Sequence, residues 1–135
     1  MRPLCALAIG LLCYAGIALA ADKDPIDRAL DKCLAVEKNQ TTVGMAECTD
    51  IAIKAWDGRL NAAYKEAMRT LDPKSADALR TAQRQWLAFR EAEHKAWQAP
   101  WQADRGTMVR LEILSAELGA IKERTEELQL YVSRP

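Results

Sequence analysis

Soft metal ligands are scarce in this sequence, which has one histidine and four cysteines in 135 residues. Cys5 and Cys13 fall in an apolar leader, leaving His94, Cys33 and Cys48 for the rest of the chain. That set is too small for a dedicated structural zinc site, and no cofactor is implied. An excess of charge is lacking too. Without Arg2 the chain carries 18 basic against 19 acidic residues, a formal charge of −1. Such a balance excludes the basic footprint of a nucleic-acid binder, and no like-charge run suggests a polybasic membrane patch or acidic tail. There is no glycine-rich phosphate loop, low-complexity tract or internal repeat. Catalytic constellations are also missing. His94 has no nominated nucleophile, and Asp57 with Glu47 or Glu93 reads more simply as acids on solvated helix faces than as a paired-carboxylate site. The chain does not read as an enzyme.

What is present begins with a leader. Arg2 gives a brief positive start, Leu4–Ala15 is a short apolar run, and Ala18-Leu19-Ala20 supplies a small-x-small cleavage site. Residues 3–21 approach the length of a transmembrane anchor, but Gly16 and the alanine-rich end suit cleavage better. Cys5 and Cys13 each follow a leucine, which does not suit lipoprotein acylation. The expectation is a signal peptide over 1–20, with cleavage after Ala21 as the minor competitor, and one domain over 21–135. Export places the product in the periplasm or medium of a bacterium, with no stable membrane anchor. Cys33 and Cys48 then remain as an even pair where disulfides persist, so one bridge is expected.

The rest of the chain is punctuated as helices. Asp24-Pro25 opens a short one, with Ile26, Leu30, Cys33 and Leu34 on one face. Asn39–Thr42 interrupts it, and Thr41 or Thr42 can cap the next helix. The stripe Met45, Cys48, Ala52, Trp56, Leu60, Tyr64, Met68 and Leu71 marks a long second helix that Asp72-Pro73 ends. Ser75 can cap a third, with Leu79, Ala82, Trp86, Phe89 and Ala96 or Trp97 as its stripe, stopped by Pro100. Met108, Leu111, Leu114, Leu118, Ile121 and Leu128 mark a fourth. Short connections make successive helices antiparallel. The predicted fold class is all-α: a small helical bundle of one short and three long antiparallel helices with one disulfide.

Two helices carry a recognisable series. Met45-Ala46-Glu47-Cys48 precedes Trp56-Asp57-Gly58-Arg59-Leu60-Asn61-Ala62-Ala63-Tyr64, then Leu79-Arg80 and Gln83-Arg84-Gln85-Trp86-Leu87-Ala88-Phe89-Arg90. This series resembles the lysozyme inhibitor LprI-like N-terminal domain family over about residues 33–128. Members often carry two further cysteines, at positions that hold His94 and Ala116 here, and a Gly-Gly-Ser-like turn where this chain has Arg105-Gly106-Thr107. Those departures imply a less constrained connection between the third and fourth helices. The resemblance implies a protein partner, a lysozyme-type muramidase, blocked by occlusion. The alternative is an envelope scaffold without lysozyme inhibition, and a wall hydrolase ranks last. The oligomeric state stays open.

Two groups of residues stand out for such a role. The turn at Asp72-Pro73 sets Asp57 opposite Arg90 and Asn61 opposite Gln83, either a polar cleft or, in preference, a satisfied seam fixing helix register. His94, Trp97, Trp101 and Arg105 flank Pro100 and form the candidate partner-binding stretch, His94–Thr107, unless the tryptophans simply cover the bundle end.

Overall fold

A computed structural model describes residues 22–132. The expected signal peptide lies outside the described residues. Four helices occur in chain order: α1 (Pro25–Leu34), α2 (Thr42–Thr70), α3 (Pro73–Trp97) and α4 (Met108–Val132). Single 3-10 turns at Glu37–Asn39 and Pro100–Gln102 sit in the first and last connections, and no strand occurs among the described residues. The all-α bundle is what the periodicity leads one to expect, and its one bridge is what the remaining pair of cysteines leads one to expect.

Each boundary has a local cause. The Asp24 side chain accepts from the Ile26 amide at 2.8 Å, with Pro25 in the first turn. Of the two threonines, Thr41 is the cap, accepting from Gly44 N at 3.1 Å. Gly44 is required by close approach, since a Cβ there would lie 2.6 Å from Asn39 Cα in the preceding turn. α2 stops where Leu71 and Asp72 turn extended ahead of Pro73. The cap of α3 is Asp72, not Ser75. Its carboxylate accepts from Lys74 N and Ser75 N at 3.0 and 3.2 Å and from the Ser75 hydroxyl at 2.5 Å.

The bridge Cys33–Cys48 spans Cα atoms 5.8 Å apart and ties α1 to the start of α2. Further along, α1 runs antiparallel to α2. Arg59 pairs with Asp24, and Trp56 Nε1 donates to Asp27 Oδ1 at 3.0 Å. Lys122 of α4 reaches the same carboxylate at 2.5 Å. Trp56 meets two cations, Arg59 and Lys122, whose charged ends stand 4.7 and 5.2 Å from its centroid.

α2 and α4 run parallel and lie closest together, enclosing a core of Ile53, Trp56, Leu60, Ala67, Leu79, Ile121 and Leu128. α3 stands further off. Its buried residues, Ala76, Leu79 and Gln83, all belong to its first half. Two expected core residues are consequently outside: Phe89 is 60% exposed and Met108 55% exposed. On α3 it is Trp86 that packs against the core and Arg90 that reaches across to α2 and α4. Phe89 stands about 100° round the helix from Arg90, which carries it off that face.

Candidate partner-binding surface

Arg90 stands where α3 leans over the other two long helices. Its Nη1 donates to Asp57 Oδ1 of α2 at 2.8 Å and its Nη2 to Glu117 Oε1 of α4 at 2.9 Å. Burial alone would lower the guanidinium pKa, but the bonds to Glu117 and Asp57 outweigh it and raise the value. The Asp57 and Arg90 approach follows from the register of α2 and α3. The second expected approach takes another form. Asn61 is exposed and donates to Asp57 one turn back at 3.2 Å, while buried Gln83 accepts from Arg124 Nε at 3.0 Å. Parallel α4 supplies the partners that α2 alone was expected to provide. Glu117 and Arg124 are therefore the residues a two-helix reading misses.

Beyond Arg90 the helix carries His94 and Trp97 to the corner where α3 ends. Gln98 closes the helix, and its Nε2 lies 2.8 Å from His94 Nε2. The chain then turns at Pro100. Trp101 folds back so that its Nε1 donates to Ala96 O at 2.7 Å, while half of its surface remains exposed. Arg105 stacks over the Trp101 ring at 5.1 Å and pairs with Glu112 of α4 at 3.1 Å. Gly106 takes φ +71°, the left-handed geometry that lets the chain enter α4. The four candidate residues thus share one corner but divide into two groups. Trp101 and Arg105 form an outward plate, whereas His94 and Trp97 border clefts between α3 and α4.

Those clefts exist because the second half of α3 stands away from the bundle. Three of them, of about 290, 210 and 500 Å³, share Trp97 and Glu117 in their walls. Among the described residues no cluster of three or more His, Cys, Asp or Glu side chains could hold a metal ion. No described helix is long and apolar enough to cross a membrane.

The family model described as "Lysozyme inhibitor LprI" matches residues 33–128. Comparison with curated proteins returns no match. Among solved structures, the crystal structure of an uncharacterized protein from Burkholderia thailandensis superposes with a TM-score of 0.77 at 31% identity. The match covers 83% of this chain and 55% of that one, so the chain spans little more than half the length of that relative.

Proposed function

Because the chain belongs to the lysozyme inhibitor LprI family, we propose that it is an exported inhibitor of a lysozyme-type muramidase that acts by occlusion. The family match over residues 33–128 is the observation that carries this reading. Cleavage after Ala20 would release the helical part into the periplasm or the medium, with its disulfide formed there.

A muramidase cleft presents two carboxylates across the scissile bond. The plate of Trp101 and Arg105 offers what such a cleft accepts: an amphipathic indole and a guanidinium able to make bidentate bonds to a carboxylate. Stacking on Trp101 and the pair with Glu112 hold Arg105 in place before binding, which limits the ordering cost. The guanidinium can exchange Glu112 for a carboxylate of the partner. His94 and Trp97 flank the plate and complete the contact face. With a formal charge of −1, long-range steering toward a basic lysozyme is weak.

The test is the rate of wall lysis by lysozyme, followed as loss of turbidity. Wild-type protein slows it, and the double variant Trp101→Ala with Arg105→Ala slows it much less while keeping its helical content. A second reading, an envelope scaffold, draws on Val43 and Ile51, two turns apart on α2 and 68% and 64% exposed. Capture of an envelope protein through that face, with no effect on lysis, would support it.

A further inference from the structure

The largest of the three clefts between α3 and α4, about 500 Å³, has a wall chemistry of its own. Its size falls within the ~300–1,000 Å³ of small-molecule sites. Trp97, Ile113 and Leu114 give it apolar surface, and Asp50 and Glu117 give it carboxylate acceptors. Gln98, Gln102 and His94 add amide and imidazole groups. Gln102 Nε2 is buried without a hydrogen-bond partner, so turning this amide toward the cleft to meet a ligand oxygen would relieve an unsatisfied donor. The wall carboxylates are already matched by guanidinium groups: Glu117 by Arg90 at 2.9 Å and Asp50 by Arg110 at 3.7 Å.

This pattern discriminates between ligand classes. A metal ion needs uncommitted carboxylates, and a phosphate needs unpaired positive charge or a nest of backbone amides. An acyl chain needs a wall without polar groups. A pyranose ring needs what is here. It has an apolar C–H face that lies against an indole and a rim of hydroxyls that both donate and accept. We propose that this cleft binds a short neutral glycan, with Trp97 as the platform and Gln98, Gln102, Asp50 and Glu117 around the ring edge. The adjoining 290 Å³ cleft, which shares His94, Trp97 and Glu117, extends the site for a second ring.

His94 and Trp97 border both this cleft and the proposed lysozyme contact, so the glycan test contains no lysozyme and its outcome is separate from that of the inhibitor reading. Titration of the folded protein with chitotriose and, separately, maltotriose is followed by calorimetry and by saturation-transfer NMR. Saturable binding of at least one sugar at millimolar concentration or below is expected. The two sugars differ in their acetamido groups, so their ranking tells whether those groups are read. Trp97→Leu should weaken binding about tenfold, since loss of an aromatic contact is worth that order. Gln102→Ala, a smaller change, should weaken it several-fold and serves if Trp97→Leu fails to fold. Leu130→Ala, on the exposed surface far along α4, should bind as wild type does. Failure of both sugars to bind, or binding untouched by either cleft variant, would overturn the proposal.

Discussion

Arg90 serves two carboxylates from two different helices, with 26% of its side chain exposed and only 15% of Glu117. Removing the guanidinium leaves Glu117 with no matching charge in a place where water only partly replaces it. Arg90→Ala should therefore cost about 1–3 kcal/mol and lower the melting temperature. Unchanged melting with lost partner binding would instead make the seam a recognition cleft. Asp27 makes a separate contribution. Burial, the largest single influence on its carboxyl, raises the pKa. The bonds from Lys122 and Trp56 and the charges of Lys122 and Lys23 together outweigh it and hold the value below the ordinary 3.8. The unfolded chain thus binds this proton first as pH falls. The stabilisation is complete above about pH 4 and is lost as pH drops through the depressed folded value. Asp27→Asn should flatten the decline in melting temperature over that acid range, and an unaltered slope would count against the assignment. Gly44→Ala should also destabilise, because the clash is with the Asn39 backbone rather than a movable side chain.

Helix boundaries were legible because proline and capping residues mark them: Asp24-Pro25, Thr41 and Asp72-Pro73 sit where the chain turns. The facing of Asp57 and Arg90 was legible too, since a connection of two residues leaves α2 and α3 little freedom of register. The connection from 98 to 107 fixes no register for α4, so Glu117 and Arg124 could not be paired from the sequence. Phe89 misled for a different reason. Periodicity reports which side of a helix is apolar but not whether a neighbour covers it. The uncovered second half of α3 should show the consequence directly. Amide hydrogens over residues 84–97 should exchange faster than those over 76–83, and equal protection would contradict this packing. At the other end, the Cys33–Cys48 bridge closes a loop with a sequence separation of 15. On the chain-entropy view that is worth ~3 kcal/mol. Denaturant unfolding with and without reductant should differ by about this amount, with α1 losing protection first. No difference would leave the attachment of α1 to its ion pairs with Arg59 and Lys122.

For the molecule as a whole, the packed core and the proposed contact corner draw on different residues. Trp56 and its two cations lock α1, α2 and α4 together, and this assembly does not depend on the corner beyond α3. Trp101 is held by Ala96 O in the last turn of α3 and Arg105 by Glu112 of α4, neither of them part of the packed core, so the plate can be removed without disturbing that core. A change at the corner should thus affect binding and leave stability nearly intact, the reverse of a change at Trp56. The most direct measurement is lysozyme-driven loss of turbidity in a wall suspension, with wild-type protein beside the Trp101→Ala, Arg105→Ala variant at matched helical content. Inhibition by the wild type, falling at least about tenfold in the variant, is expected when two interface anchors are lost. Equal inhibition by both would move the contact away from the corner, and none by the wild type would contradict the inhibitor reading itself.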